Sequence, residues 1–330
     1  MLTQELIPHL FRTEFTKMVS VLSRHFGLQN VEIAEDIVSD TFLLASETWG
    51  LKGLPENPTA WLYTVAKNKT KDYLKRNQLF SKKIAIEIKK SESELYEMEL
   101  DLSSQNINDS QLHMMFALCN PAIPTEAQIG LSLRLLCGFG IDEIAEAFLT
   151  SKETINKRLF RAKEKLREIN ADMEFPPSEQ INARLEVVIS VLYLLFNEGY
   201  YSSTQNNVLR KDFCLEAMRL NLMLTENKMT SQPFVFALLS LMCFHASRFE
   251  ARTSASGELV LYEDQDVKLW DHELIQRGEY YLNQASVGNE ISKYHLEAAI
   301  AYWHTQSTNS TEKWENILQL YNKLLQIEYS

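Results

Sequence analysis

Apolar residues recur at spacings of three and four along almost the whole chain, a rhythm that leaves room for little except α-helices. Leu6, Leu10, Phe11, Phe15, Met18, Val19, Leu22 and Phe26 make one such stripe. After Gly27, Ala34, Ile37, Val38, Thr41, Phe42 and Ala45 make a second. Side chains spaced this way fall on one face of a helix, whereas a half-buried strand needs strict alternation. With only 10 Gly and 8 Pro in 330 residues, the chain also lacks the turn residues of a β-rich protein. Further stripes near 181–198, 208–225, 233–251, 271–286, 294–303 and 313–327 are separated by short polar turns. That is the pattern of stacked helical hairpins. Leu259 to Tyr262 reads as a short extended piece between them. The expected class is all-α.

The same sequence argues against several functional classes. No apolar run reaches the roughly 18–20 residues that span a bilayer. The opening MLTQELIPHLFRTEF has neither the basic nor the apolar region of a secretion signal, so a cytoplasmic protein with no membrane partner is expected. Cys119, Cys137, Cys214 and Cys243 lie far apart among apolar neighbours, without a C-x-x-C pair. They read as buried reduced thiols rather than zinc ligands. The seven His are scattered, and no H-E-x-x-H, G-x-S-x-G or phosphate-cradling glycine loop occurs. A non-enzyme without metal or cofactor is the expectation. In the stretch Phe196 to Tyr201, Gly199 reads as a helix end, with Asn197 and Glu198 satisfying turn amides.

The net charge of −11 is unevenly spread. Residues 1–90 carry a net +3, residues 91–110 a net −6, residues 111–170 a net +1 and residues 171–330 a net −9. Phosphate contact depends on local Lys and Arg density rather than on the average. Two short stretches concentrate that density.

The first begins at Asn57-Pro58, a good helix start with Asn as cap and Pro in the first turn. Lys67, Lys71 and Lys75 follow at spacings of four, along one side of a helix. Lys69 and Arg76 flank them, Lys82 and Lys83 extend the positive field, and Trp61, Tyr63 and Tyr73 are interleaved. Cations with aromatics on one helix suit single-stranded or melted DNA, and the Asn68 amide could read a base edge. An ordinary solvated basic face, with Trp61 and Val65 in the core, is the competing reading.

Beyond this helix, residues 81–110 pass from basic to acidic and then to the polar run Ser103 to Ser110. No period is sustained, so a flexible linker is expected. The second basic stretch runs from Ile141 to Arg167. Ile144, Ala145 and Phe148 would pack a first helix, and Leu149-Thr150 would break it. Thr150 and Glu153 have capping-box spacing for a new start. Ile155 and Leu159 would face inward, while Lys152, Asn156, Lys157, Phe160, Arg161 and Lys163 face out. Two short helices with a brief turn and a basic second member match a helix-turn-helix, whose second helix enters the major groove. The alternative is a helical hairpin with a basic surface.

Taken together, these segments resemble the sigma-70 superfamily, extracytoplasmic-function group. Ala34 to Phe42 is similar to the part of that family's first domain that docks on the polymerase clamp helices, which implies Asp36, Asp40 and Phe42 as docking residues. Trp61 to Asn68 resembles the −10-reading and melting segment. The resemblance implies a −10 set of Trp61, Lys67, Asn68, Lys71, Lys75 and Arg76, with Asn68 at a flipped-out base. Ile144 to Arg167 resembles the −35-reading helix-turn-helix and implies Lys152, Thr154, Asn156, Lys157, Phe160 and Arg161. Asn120 to Pro124, Ala147 to Leu149, Val191 to Tyr200 and Glu263 to Asp266 resemble a subgroup with a helical, tetratricopeptide-like C-terminal extension. Members of that subgroup run on past the position of Ser330 with further helices, which implies that this chain is short or truncated relative to them.

The resemblance thus implies four segments. Residues 1–80 form a region-2-like domain, 81–110 a linker, 111–172 a region-4-like domain and 173–330 a regulatory extension. In class terms these are two small helical DNA-binding domains, the second a helix-turn-helix, followed by a C-terminal helical-hairpin array. The implied partners are core RNA polymerase, through its clamp helices and flap, promoter DNA, and a regulatory protein or ligand on the extension. Two rivals stay open at this point. A one-component regulator would bind specific duplex DNA without polymerase, and a helical scaffold would show no salt-dependent DNA affinity.

Overall fold

A computed structural model describes residues 3–84, 100–201, 211–254, 258–306 and 310–328. It contains thirteen α-helices among the described residues, and the nearest thing to a strand there is one isolated bridge between Thr253 and Leu259. The all-α expectation holds, and the extended reading of Leu259 to Tyr262 shrinks to that bridge, since Tyr262 already begins a 3-10 turn. The chain divides into two compact units. One is Met1–Ala145 with Ser151–Phe175, and the other is Pro176–Ser330 with Glu146–Thr150.

In the first unit, α1 (Thr3–Phe26), α2 (Val31–Lys52) and α3 (Pro58–Ile84) form a three-helix core. Met18 and Leu22, Ala34 and Val38, and Leu62 and Ala66 meet there, each fully or almost fully buried. Small residues on α2 let the helices approach, and the rings of Phe11, Phe15 and Phe42 close one end with centroids 4.5–6.3 Å apart. The side chains of Lys82 and Lys83, and the acidic run from Glu92 to Glu99, lie outside the described residues.

The expected linker ends sooner than its polarity suggests. Ser104–Leu118 is a helix, α4, with Ser103 as N-cap accepting a hydrogen bond from the Asn106 N–H. Asn106 Nδ2 donates to the Asp101 carbonyl at 2.6 Å, pinning the turn. Ile107, Ser110 and Gln111 are buried, and α4 packs along α1, where Ser20 Oγ reaches Met114 Sδ at 3.4 Å. Tertiary burial outweighs the weak local pattern of this segment. The helical domains before residue 85 and after residue 99 pack within one compact unit.

Helices α5 (Thr125–Leu135) and α7 (Lys152–Glu168), with α6 (Ile141–Ala147) up to Ala145, complete this unit. Ala171 and Met173 are buried, and Phe175 lies on Phe116 at 5.1 Å and on His113 at 4.8 Å. His113 Nδ1 also lies 2.9 Å from the Met173 carbonyl, and burial lowers its pKa. Residues 173–175 therefore belong with the first unit rather than with the extension.

The second unit contains α8 (Ser178–Tyr201), α9 (Lys211–Glu226), α10 (Pro233–Ala246), α11 (His272–Ala285), α12 (Lys293–Thr305) and α13 (Thr311–Glu328). Neighbours in sequence pack as neighbours in space, and α10 forms the centre between α9, α11 and α12. Its residues Val235, Leu238, Met242 and Phe244 are fully buried. Gly199 does not end a helix as expected, because α8 continues through it to Tyr201 and buries Tyr200. Cys119, Cys214 and Cys243 are buried and Cys137 is half-buried, and among the described residues none of the four is in a disulfide. Burial pushes the Cys243 thiol up to about 12.

Candidate nucleic-acid interface

On α3, Leu62, Ala66 and Thr70 are the buried line at successive intervals of four. Asn57 Oδ1 accepts from the Ala60 N–H at 3.0 Å and caps the helix as expected. With those residues inside, Asn68, Lys71, Lys75 and Arg76 emerge exposed on the far side, and Lys67 is half-buried. The aromatics behave otherwise than the interleaving suggests. Trp61 is half-buried, edge-on to the buried Trp49 at 5.3 Å, and Tyr73 stands against Phe26 at 5.7 Å. Tyr63 donates its hydroxyl to Glu14 at 2.6 Å, and burial, with that hydrogen bond second, raises its pKa. These rings brace α3 against α1 and α2, so the outward surface is made of the Asn68 amide and the cations.

Helix α7 shows the same division. Ile155, Leu159, Ala162 and Leu166 are buried, while Asn156, Lys157, Phe160 and Arg161 are exposed. Phe160 is 63% exposed and stands on the same outward face as Lys157 and Arg161. Gly130 on α5 allows the close approach of α7, since a Cβ there would lie 3.0 Å from a Leu159 methyl. Lys157, Arg158, Arg161 and Lys165 edge a groove of about 400 Å³ whose other wall is the Ala122–Ala127 turn. In that turn Asn120 Oδ1 accepts from the Ala122 N–H at 2.9 Å.

The turn between α6 and α7 differs by one residue from expectation. Leu149 takes a positive φ of 49°, which shifts the extended capping position to Ser151. Ser151 Oγ, not Thr150, accepts from the Thr154 N–H at 3.2 Å, and Thr154 itself is exposed. At the start of α6 the Glu143 carboxylate accepts from the Gly140 N–H at 2.8 Å, which is why a glycine suffices there.

Two of the expected outward cations are paired. Lys152 bonds Asp142 at 2.7 Å with both side chains exposed, a contact of little energetic consequence. Lys163, expected outside, instead meets Glu35 of α2 at 3.0 Å, where both side chains are mostly buried. Arg134 approaches the same carboxylate at 3.8 Å, and Arg167 reaches Glu32 at 3.3 Å and the Gln29 carbonyl at 3.3 Å. Sequence spacing cannot reveal the pairs from Arg134, Lys163 and Arg167, because those partners are more than ninety residues away.

Helix α2 therefore has three faces. Its core face holds Ala34, Ile37 and Val38, and Phe42 lies on it with 5% exposure, so Phe42 shapes the helix from within rather than offering itself for contact. Glu32 and Glu35 face α7. Asp36, Asp40, Leu43, Leu44 and Glu47 form an exposed strip, with Asp40 also 3.6 Å from Lys69. The apolar members Leu43 and Leu44 were not anticipated. Their signal is that they fall at helical spacing from Asp36 and Asp40 and off the core stripe.

Three comparisons bear on this surface. Residues 10–80 match the family described as sigma-70 region 2, and residues 121–166 match sigma-70 region 4. Residues 184–286 match a family of unknown function, DUF6596. A curated relative, an uncharacterized protein of Rhizobium meliloti, is 31% identical over 317 residues, covering 94% of this chain and 74% of its own length. No solved structure matches the chain. No described helix is long and apolar enough to cross a membrane.

Proposed function

The chain belongs to the sigma-70 family, as an extracytoplasmic-function-like sigma factor with a C-terminal extension, and we propose that three of its helices divide the work of initiation. The exposed strip Asp36, Asp40, Leu43 and Leu44 of α2 docks on the clamp helices of core RNA polymerase. Helix α7 enters the major groove of the −35 element, with Lys152, Thr154 and Lys157 on phosphates and Asn156, Phe160 and Arg161 at base edges. Phosphate contacts of this kind set position, and base-edge contacts set sequence. Helix α3 holds the opened −10 strand, with Asn68 at an unpaired base, Lys67, Lys71, Lys75 and Arg76 along its phosphates, and Trp61 bracing the helix beneath.

Capturing an unpaired base trades stacking in the duplex for contacts with protein, so opening needs no bond made or broken and no enzyme chemistry. The polymerase flap receives the second DNA-binding segment, and the protein works in the cytoplasm. To reach two separate promoter elements, α7 must leave α2, which means opening the Lys163–Glu35 and Arg167–Glu32 pairs. Docking of polymerase on α2 supplies the competing contacts.

The observation that carries this reading is the pair of helices with buried apolar backs and outward amide, cation and ring groups. Transcription in vitro with purified core polymerase and a library of genomic promoters tests it. The expected outcome is a discrete set of start sites that require the protein. Arg161→Ala should lower −35 affinity by about 1–3 kcal/mol, with relaxed selectivity at one base position if it contacts guanine. Sequence-specific duplex binding that ignores polymerase would instead make the chain a one-component regulator.

A further inference from the structure

The second unit contains a cavity of about 510 Å³, partly open to solvent and within the range of small-molecule sites. Leu241, Leu261, Ile300 and Leu324 supply apolar wall from α10, α12, α13 and the segment after the Thr253–Leu259 bridge. One side is different in kind. Arg248 lines it at only 7% exposure. Its Nη2 lies 3.4 Å from Tyr200 Oη and 3.5 Å from His245 Nδ1, both long contacts to uncharged groups, and its Nε has no partner. Among the described residues Arg248 makes no ion pair. Arg252 lines the same side, its guanidinium 3.9 Å from the centre of the Tyr200 ring.

More positive charge stands beside the cavity. Lys313, 3% exposed, donates to Tyr262 Oη at 3.1 Å and to the Gln306 carbonyl at 2.7 Å, and Tyr262 is itself a lining residue. His304 Nδ1 is buried in the lining without a partner. Burial and the nearby Arg248 pull His304 down to about 4 and His245 well below its usual value, so both rings are neutral near pH 7. Glu297 is the one carboxylate among the described lining residues, and its Oε1 accepts from Tyr193 Oη at 3.2 Å.

The Arg248 guanidinium, withdrawn from water without an ion pair among the described residues, is unfavourable, and its cation–π contact with Tyr262 at 5.5 Å offsets only part of that cost. A carboxylate or phosphate answers both the charge and the fork of unused donors. We propose that this cavity binds a small organic anion, its carboxylate or phosphate head on Arg248 and Arg252 and its apolar body against Leu241, Ile300 and Leu324. The extension is then a ligand-binding module, a role independent of how the first unit reads DNA.

Calorimetric titration of the full chain with phenyl phosphate, benzoate and the neutral benzyl alcohol tests this. Saturable binding of at least one of the two anions, with no heat from benzyl alcohol, is the expected result, and the tighter anion identifies the head group. Arg248→Met, which keeps an apolar stem and removes the guanidinium, should weaken the binding anion about tenfold or more, the scale of a lost charge-assisted contact. If Arg248→Met does not fold, Arg252→Gln on the same wall supplies the variant. Failure of both anions to bind at millimolar concentration overturns the proposal. So does equal binding of benzyl alcohol, or undiminished anion binding by the folded variant.

Discussion

At the level of single side chains, the decisive distinction is between a cation that is spent inside the protein and one that is available. Lys157 and Lys163 sit on the same helix with the same chemistry, yet Lys157 is exposed while Lys163 is closed onto Glu35. Asn68, an uncharged amide, is likewise exposed on α3. Asn68→Ala should therefore leave folding and binding to core polymerase unchanged while slowing open-complex formation, read by permanganate footprinting of the −10 strand. Normal opening would return Asn68 to the ordinary surface. The buried histidines give a prediction of the opposite kind. His304 and His245 have folded-state pKa values below the unfolded value near 6.5, so the unfolded chain binds more protons. Their stabilising contribution is complete above about pH 6.5 and is lost as pH falls toward about 4, where His304 titrates in the folded state. Urea denaturation across that interval should show the second unit weakening with acid, and His304→Gln should flatten the trend. A variant with the same pH slope as the natural chain would assign the effect elsewhere.

For helices and turns, periodicity was informative where a segment carries its own apolar face and silent where a neighbour supplies it. The six stripes read between 181 and 327 correspond to α8 through α13, because each has enough Leu, Ile, Val or aromatic residues to mark a face. The start of α4 has only Ile107 among polar residues, and what makes it a helix is the surface of α1 beneath it. The basic helix and the helix-turn-helix were legible for the same reason as α8 to α13. The pairs from Arg134, Lys163 and Arg167 to α2 were not, since a charge pattern carries no information on distant partners. The cavity was equally hidden: Arg248 and Arg252 look like the polar end of the stripe through α10 until the fold turns them inward. Close helix crossings also escape a pattern reading, and Gly278 shows their cost. A Cβ on it would lie 2.6 Å from the fully buried Phe244 ring, and its carbonyl accepts from Ser240 Oγ at 2.8 Å across the α10–α11 contact. Gly278→Ala should destabilise the second unit by about 1–3 kcal/mol through overpacking, despite a helix-propensity gain of about 1 kcal/mol. Denaturant midpoints at equal slope measure this, and an unchanged or raised midpoint would mean that the ring can move aside.

Over the whole chain the governing quantity is the segregation of charge. The average of −11 hides basic helices in the first unit and a net −9 over residues 171–330. Anionic surface tethered to a DNA-binding unit lowers the local potential that attracts phosphates, and it does so only within the reach of unscreened charge. That reach is about 10 Å at 0.1 M salt and about 30 Å at 0.01 M. Removing the extension should therefore raise the DNA affinity of the free protein at low salt and change it little at high salt. The cut belongs after Phe175, because Ala171, Met173 and Phe175 pack against the first unit and an earlier cut would expose α4. Titration of a promoter fragment at several salt concentrations, with circular dichroism to confirm the helices, reads out the difference. The slope of log affinity against log salt should steepen in the truncated chain, since counterion release is then no longer masked by repulsion that salt relieves. Equal affinities at every ionic strength would mean that the acidic unit exerts no electrostatic control, and that any restraint on DNA binding resides in the Lys163–Glu35 and Arg167–Glu32 pairs of the first unit alone.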